Sequence, residues 1–310
     1  MNLPDAALAP LPATAHRVAY LGTPDIAVPP LRALAAGGFD VVAVVTGPDR
    51  RRGRGSSTSP TPVKACAADL GIDVHHDLDV LDRLDVDLAV VVAFGTIIPT
   101  ALLARVPMVN LHFSLLPRWR GAAPVERAIL AGDDRTGVCV MQVEAGLDTG
   151  GVLSCVAVPL DDSITAAELS EQLSDIGAAL LVTTLSGPLP APEPQVGEAT
   201  YARKLTPADV ELRWDLPAVD LARRVRVGGA WTTFRGRRLG VVDAVARPST
   251  DLDTRLEPAG LSGVMVGTAS GLLELITVVP EGRSRTDAAS WRNGARPEAD
   301  ECLGAMDEQS

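Results

Sequence analysis

Short apolar runs alternate with segments of helical periodicity over the first part of this chain. The predicted strands are Val18–Leu21, Val41–Val45, Leu88–Ala93, Val109–Leu111, Val138–Val143 and Val152–Val158. The predicted helices begin near Pro29, cover Val63–Leu70 and Pro124–Leu130, and follow the capping box Thr165–Glu168. Strands that alternate with helices indicate an α/β fold with an open, mostly parallel, Rossmann-like sheet.

The pattern changes beyond residue 185. Ser186–Thr200 contains four prolines and two glycines, which is typical of a linker. Short β-prone runs follow at Trp231–Phe234, Leu239–Val245, Gly263–Val266 and Leu272–Val279. Runs of this length, separated by turn residues, predict a small β-barrel or β-sandwich. We therefore predict a disordered tail over 1–16, an α/β domain over 17–188, a linker over 189–200, a β-barrel over 201–297 and an acidic tail over 298–310.

Composition supports two packed domains and excludes several classes of protein. The chain has 310 residues, of which 46% are hydrophobic and 22% charged. No apolar stretch reaches the ~18 residues of a membrane span, and residues 1–15 lack the lysine or arginine of a secretory signal. The four cysteines form no Cys-x-x-Cys pair and lie at no metal-ligand spacing from a histidine. We expect a cytoplasmic protein with free thiols and no metal.

The net charge of −11 argues against a general nucleic-acid coat protein. The basic residues are nearly all arginine, and they occur in three clusters: Arg50, Arg51, Arg52 and Arg54; Arg223, Arg224 and Arg226; and Arg235, Arg237 and Arg238. A charge run of this kind is ordinarily a solvated surface. Local basic patches nevertheless leave an RNA partner open.

The loop after the first predicted strand lacks the glycine pattern of a nucleotide site. Gly22-Thr23-Pro24-Asp25 replaces Gly-x-Gly-x-x-Gly, and the Gly-x-Gly at Gly53–Gly55 lies in the arginine-rich loop. No phosphate-binding Gly-x-x-x-x-Gly-Lys motif occurs. The α/β prediction therefore implies neither NAD nor ATP.

The most informative polar residues are Asn110 and His112. They lie two residues apart, on one side of an extended segment that ends there. Ligands bind at the carboxyl ends of strands in open α/β sheets, so both side chains are predicted to face the crevice. Asp148 follows in a turn bracketed by Gly146 and Gly150. An amide, an imidazole and a carboxylate suit acyl transfer to an amine, although spacing alone leaves a structural role for His112 equally open.

The combined motifs resemble the folate-dependent formyltransferase family, from about Val18 to about Ala295. The resemblance depends most on Asn110-Leu-His112-Phe-Ser114-Leu-Leu-Pro117, and its continuation Arg-Trp-Arg-Gly-Ala-Ala-Pro124 narrows it to the branch that acts on methionyl-tRNA. The other motifs that carry it are Leu21–Asp25, Gly47–Arg50, Ala93–Gly95, Gly132–Gly137, Met141-Gln142 and Gly146–Gly150.

The resemblance implies 10-formyltetrahydrofolate as formyl donor and the α-amino group of methionyl initiator tRNA as acceptor. It implies catalytic roles for Asn110, His112 and Asp148, and an OB-like barrel that binds tRNA. The implied folate-binding residues are Phe94, Gly95, Ser114, Leu115, Leu116 and Pro117. The implied tRNA-binding residues are Arg50, Arg51, Arg52 and Arg54. We expect a monomer that does not bind membranes.

Two alternatives share parts of this pattern. A formyltransferase acting on an amino-sugar nucleotide would use the same Asn110, His112 and Asp148, but the arginine loop and the second domain count against it. A tRNA-binding protein without catalysis would not need the amide, the imidazole and the carboxylate of these three residues, so their presence counts against that alternative. Arg223, Arg224 and Arg226 are open between a solvated face and a second tRNA contact. The segments 225–231 and 280–285 depart from the family pattern, so the tRNA contacts of the second domain are left open.

Overall fold

The structure is a computed structural model that describes residues 7–51, 58–248, 256–298 and 300–304. Its chain divides into two compact units. Unit 1 comprises Met1–Val125, Arg135–Pro159 and Glu168–Arg203, and unit 2 comprises Glu126–Asp134, Leu160–Ala167 and Lys204–Ser310. Unit 2 thus takes two short segments from the region predicted to be the α/β domain, in addition to the C-terminal part of the chain.

The elements of the first 203 residues follow the predicted alternation. The strands are β1 Arg17–Gly22, β2 Asp40–Val45, β3 Arg50–Arg51, β4 Thr58–Ser59, β5 Val74–His75, β6 Leu88–Val92, β7 Met108–His112, β8 Arg120–Gly121, β9 Arg135–Gln142, β10 Val152–Pro159 and β11 Tyr201–Ala202. The helices are α1 Val28–Ala36, α2 Pro62–Leu70, α3 Thr100–Leu103, α4 Pro124–Ala131 and α5 Ala166–Leu185.

The main sheet of unit 1 has seven strands in the order β10-β9-β7-β6-β1-β2-β5. The five strands from β7 to β5 are parallel, whereas β9 and β10 are antiparallel to their neighbours. The parallel strands β1 and β6 are almost wholly buried, as expected where helices cover both faces. Strand β1 pairs with β2 on one side and with β6 on the other, so the order in which strands are added to the sheet reverses at β1. Open α/β sheets bind ligands at such a point.

Local sequence explains why the helices begin and end where they do, as α2 illustrates. The Thr61 hydroxyl accepts a hydrogen bond from the Lys64 N–H at 3.1 Å, and Pro62 occupies the first helical position. Gly71 ends the helix with φ +71, a conformation that favours glycine.

Unit 2 contains the antiparallel strands of the C-terminal region. Its strands and helices there are α6 Ala218–Val227, β12 Trp231–Phe234, β13 Arg237–Arg247, β14 Leu261–Ser262, β15 Met265–Gly267, β16 Leu272–Pro280, β17 Thr286–Asp287 and α7 Ala288–Ala295. The sheet order is β12-β13-β16-β15-β14, with β17 paired to β16. Leu221, Phe234, Leu273 and Val278 are buried in its core. The fold class is confirmed: a mostly parallel α/β sheet and a separate antiparallel β unit consistent with a small barrel.

The segments predicted to be tails and linker make hydrogen bonds within the described residues. The Ala9 N–H donates to Leu103 O at 2.9 Å, and the Leu303 N–H donates to Ala259 O at 3.0 Å. In the predicted linker, Glu193 pairs with Val152, and immediately after the linker β11 pairs with β8. Burial of Leu303 and Ala9 accompanies these bonds.

The expectation of free thiols was wrong for two cysteines. Cys139 on β9 and Cys155 on β10 face each other in the antiparallel register and form a disulfide. Their separation of 16 residues matches no sequence motif, because strand register alone brings them together. Cys66 and Cys302 are free.

A charged hydrogen-bond cluster in unit 2 makes stability depend on pH. Asp209 accepts hydrogen bonds at 2.8 Å from the Arg127 guanidinium and from the Thr206 N–H and hydroxyl. The Arg127 bond, followed by those of Thr206, holds the pKa of the Asp209 carboxyl well below its usual range. A lowered pKa stabilises the folded state above the unfolded-state pKa of about 3.9, and this contribution is lost as pH falls towards the folded value.

Asp209→Asn is therefore expected to lower the free energy of unfolding at pH 7 by about 1–3 kcal/mol, since hydrogen bonds to a charged group are removed. The difference between wild type and variant should narrow as the pH falls below about 4. Urea unfolding at a series of pH values measures both effects. A difference that is the same at pH 7 and pH 3 would contradict this assignment.

Candidate active site at the carboxyl edge of the sheet

Three loops at the carboxyl ends of parallel strands are tied together by one side chain. Thr23, after β1, donates its hydroxyl to Phe94 O, after β6, at 3.5 Å. The same hydroxyl accepts a hydrogen bond from the Gly47 N–H, after β2, at 3.2 Å. This edge is where the polar residues of β7 also end.

The strand β7 places Asn110 and His112 beside the end of β6. Asn110 is paired with Val91 on β6 and with Met141 on β9, and His112 is paired with Cys139 on β9. Residues two apart on a strand share a face, so the amide and the imidazole lie on one side of the sheet. His112 is only 5% exposed, whereas Asn110 is half-buried.

The two ring nitrogens of His112 have different partners. Nε2 lies 2.9 Å from the carbonyl oxygen of Trp119. A carbonyl oxygen only accepts hydrogen bonds, so Nε2 carries the proton and donates. Nδ1 lies 3.6 Å from Oδ2 of Asp148. The imidazole is therefore fixed in orientation, and Nδ1, on the side of Asp148, is the ring nitrogen available to a substrate.

Asp148 has an unusual backbone conformation, and its carboxylate accepts a hydrogen bond from the backbone. Its φ of +51 lies in the left-handed region that non-glycine residues rarely occupy. Its Oδ2 accepts a hydrogen bond from the Gly121 N–H at 2.7 Å. Gly121 has φ +120, and a Cβ there would lie 2.9 Å from Ala202 O, so glycine is required at this position. The structure thus brings together His112 and Asp148, which are far apart in sequence.

The residues implied to bind folate lie at the ends of β6 and β7, with different exposures. Phe94 is buried in the core of unit 1, and Ser114 is fully buried with its hydroxyl donating to Arg118 O at 2.6 Å. Leu115, Leu116 and Pro117 are half-buried, and the Leu116–Pro117 peptide is cis. Gly95 is exposed with φ +76, and a Cβ there would meet open space.

The arginines implied to bind tRNA follow β2. Arg50 and Arg51 form β3, whose backbone pairs with β4, while Arg52 and Arg54 lie outside the described residues. Just before this segment, Asp49 forms an ion pair with Lys64 on α2 at 2.8 Å. That ion pair anchors the start of the arginine loop to a helix of unit 1.

The arginines of α6 have internal partners in unit 2. Arg224 donates to Ala208 O, Asp209 O and Glu211 O, and Arg226 donates to Asp161 O and Ile164 O. Burial lowers the pKa of both guanidinium groups from its usual value. Arg223 pairs with Asp220 at 2.8 Å. These contacts favour a structural role over either a solvated face or a tRNA contact.

Sequence reasoning missed several residues that surround His112 and Asp148. Trp119 supplies the carbonyl that orients His112, and its own N–H donates to the Thr200 hydroxyl at 2.9 Å. Gln195 bonds to the loop that carries Asp148. Thr200 and Gln195 lie in the proline-rich segment, whose composition indicates only a linker. No local pattern marks them, because the partners of their side chains are 45 to 81 residues away.

Two features are absent from the described residues. No helix among them has the length and apolar character needed to cross a bilayer. Within the same residues, no group of three or more His, Cys, Asp or Glu side chains is arranged to hold a metal ion.

Two solved structures share the fold at low sequence identity. An N-formyltransferase from Helicobacter canadensis, in complex with folinic acid and dTDP-3-aminofucose, is 15% identical with a TM-score of 0.65, covering 87% of this chain and 99% of that one. HypX from Aquifex aeolicus, in complex with tetrahydrofolic acid, is 15% identical with a TM-score of 0.62, covering 90% of this chain and 47% of that one. At this identity the likeness establishes the fold.

Sequence comparisons establish the family. Residues 16–185 match the formyl transferase family, and residues 204–296 match the formyl transferase C-terminal domain. The methionyl-tRNA formyltransferase of Paenarthrobacter aurescens is 46% identical, covering 91% of this chain and 98% of that protein. The corresponding protein of Roseobacter denitrificans is 42% identical, covering 90% and 96%. The chain belongs to the formyl transferase family.

Proposed function

We propose that this protein transfers a formyl group from 10-formyltetrahydrofolate to the α-amino group of methionyl initiator tRNA. The observation that carries the proposal is identity above 40%, over nine-tenths of the chain and through both domains, to proteins named methionyl-tRNA formyltransferase. The arrangement of Asn110, His112 and Asp148 at the sheet edge supports the same reaction. Because tRNA is aminoacylated and used in the cytoplasm, we place the protein there. We also expect it to act as a monomer.

Asn110 and His112 stabilise the negative charge that develops on the formyl oxygen as the methionyl amine attacks. Asn110 donates from its amide nitrogen. His112 donates from Nδ1 in the form in which both ring nitrogens carry a proton, since the Nε2 proton is already bound by Trp119 O. Donors fixed in advance around a developing oxyanion are usually the largest single contribution to acyl transfer. Burial of His112 strengthens its interaction because little water competes.

Asp148 is assigned the transfer of the amine proton to the leaving folate nitrogen. Attack forms the bond between the amine nitrogen and the formyl carbon, and the bond from that carbon to N10 of the folate then breaks. The amine proton must move to N10, so that tetrahydrofolate leaves neutral at that nitrogen. Asp148, 3.6 Å from His112 Nδ1 and fixed by the Gly121 N–H, is positioned to take and return it.

The exposed loop at Gly95 suits the donor. Gly95 leaves open space above its Cα, and the neighbouring Ile97 side chain is 92% exposed. The turn of Ser114 to Pro117 follows the adjacent strand. An open backbone beside apolar side chains fits a flat heterocycle. We assign folate binding to Phe94, Gly95 and Ser114–Pro117, with Phe94 and Ser114 supporting the two loops from inside.

The purified protein tests this function when it is incubated with 10-formyltetrahydrofolate and one of two acceptors. We expect methionyl initiator tRNA to yield formylmethionyl-tRNA, detected after deacylation by chromatography. An amino-sugar nucleotide should yield no formylated product. A formylated sugar in the absence of formylmethionyl-tRNA would support the sugar alternative. Binding of tRNA with no formyl product from either acceptor would support the alternative without catalysis.

The arginine loop, defined here as Arg50–Arg54, is assigned to phosphate contacts with the tRNA. Replacing Arg51 and Arg52 with serine should raise KM for tRNA and leave kcat near the wild-type value. The dependence of log KM on log salt concentration should become shallower by about one unit for each phosphate that is no longer bound. Arg32→Ser is the matched control, because Arg32 is an exposed arginine on α1 that pairs with Asp69. An unchanged salt dependence would contradict the assignment.

A further inference from the structure

The segment 193–202, which begins within the proline-rich stretch 186–200, lies along the residues that hold the candidate catalytic groups. Glu193 exchanges two backbone hydrogen bonds with Val152, at 2.7 and 2.9 Å. At its other end, the backbone N–H groups of Arg120 and Ala122 donate to Thr200 O and Ala202 O. The segment is therefore fixed at both ends on unit 1, and the residues between them can be positioned accurately.

Gln195 uses its whole carboxamide group within this segment. Its Nε2 donates to Asp148 O at 2.9 Å and to Gly150 O at 2.8 Å. Its Oε1 accepts from Nε and Nη2 of Arg120, at 3.0 and 2.6 Å. Arg120 thus determines which end of the amide faces the loop, because a guanidinium only donates. Glutamine supplies two donors and one acceptor on a single planar group, and neither glutamate nor lysine does.

The backbone of Asp148 needs such support. A non-glycine residue with φ +51 costs free energy and persists only where its surroundings impose it. Gly150, the second residue bonded by Gln195, allows a close approach, since a Cβ there would lie 1.9 Å from Gln142 O. Gln195 therefore binds the carbonyl group of Asp148 itself and that of Gly150, two residues later in the same loop.

We propose that Gln195 is a positioning residue that fixes the Asp148 loop, and thereby sets the Asp148 carboxylate against Nδ1 of His112. The proposal rests on the function proposed above. Gln195 acts through the Asp148 backbone, and Arg120 orients its amide. The same segment acts on the other side of the imidazole, where the Thr200 hydroxyl holds the Trp119 backbone that binds Nε2.

Two variants separate positioning of the loop from simple packing. Gln195→Met keeps the length of the side chain and removes all four hydrogen bonds. Gln195→Glu keeps the contact with Arg120 but places an oxygen against two carbonyl oxygens. We expect both to lower kcat by about 10–100-fold, since small displacements of a catalytic group have effects of this size. KM for tRNA and for the folate should change less than twofold. Gln172→Met, an exposed glutamine on α5, is the matched control.

A double-mutant cycle shows whether Gln195 acts through Asp148. In an Asp148→Asn background, Gln195→Met should lower kcat by less than twofold, because the group that it positions no longer transfers a proton. Amide hydrogen exchange at Gly121, whose N–H is held by Asp148, provides a readout that does not depend on activity. It should be about tenfold faster in Gln195→Met and unchanged in Gln172→Met.

The outcomes distinguish this inference from the proposed function. If wild type forms no formylmethionyl-tRNA, the function is wrong, and the Gly121 exchange rates still test the positioning. If wild type is active and Gln195→Glu keeps its kcat, the inference is overturned. If Gln195→Met lowers kcat by the same factor in the wild-type and the Asp148→Asn backgrounds, the inference is also overturned.

Discussion

Asn110→Ala is expected to lower kcat for formylation of methionyl initiator tRNA by about 10²–10³-fold, the usual cost of removing one oxyanion donor. The physical reason is that Asn110 donates to a charge that is larger in the transition state than in the bound substrate. An interaction of this kind affects kcat and kcat/KM about equally and leaves KM nearly unchanged. Initial rates at varied tRNA and folate concentrations give both constants.

Asn110→Asp is the sharper companion to the alanine variant. It preserves size and replaces the donating amide by a carboxylate that repels the oxyanion, so its kcat should be at least as low. Thermal unfolding of both variants, with midpoints near that of wild type, shows that the loss is not due to unfolding. A variant without the amide donor that keeps more than half of the wild-type kcat would remove Asn110 from the site.

Asp148→Asn is expected to lower kcat by about 10²–10⁴-fold, the range for general acid–base catalysis. The asparagine oxygen can still accept the hydrogen bond from the Gly121 N–H, so the loop should keep its conformation. The variant cannot take up the amine proton. It also lacks the negative charge that faces His112 Nδ1. Substrate binding should be largely preserved.

Asp73→Asn is the matched control for Asp148→Asn, because Asp73 is an exposed carboxylate in the loop between α2 and β5. Its kcat should match that of wild type. Steady-state rates for the two variants, measured in parallel, test whether the loss is specific. A loss confined to KM, or a kcat for Asp148→Asn equal to that of the control, would show that this carboxylate does not handle the proton.

The positions of Asn110 and His112 could be predicted because they depend on local pattern. An apolar run specifies β7, alternation places residues two apart on one face, and the rule for open α/β sheets locates the end of the strand at the ligand crevice. The parallel sheet itself follows from apolar runs that alternate with helical periodicity. The role of Asp148 came from resemblance, because a carboxylate in a glycine-bracketed turn is common chemistry for a loop.

The remaining features depend on tertiary contacts that no local pattern encodes. The Cys139–Cys155 disulfide requires the register between β9 and β10. The proline content of residues 186–200 predicts a linker and does not show that Gln195 bonds to Asp148 and Arg120. The arginines of α6 likewise suggest surface charge, whereas Arg224 and Arg226 bind backbone carbonyls within unit 2 and Arg223 pairs with Asp220.

The most direct test is a single-turnover experiment with enzyme in excess over methionyl initiator tRNA and saturating 10-formyltetrahydrofolate. Wild type is expected to convert the tRNA fully to formylmethionyl-tRNA. Asn110→Ala is expected to bind the tRNA with the same dissociation constant but to form product about 10²–10³-fold more slowly. No formylmethionyl-tRNA from wild type, or equal rates from the two proteins, would contradict these expectations.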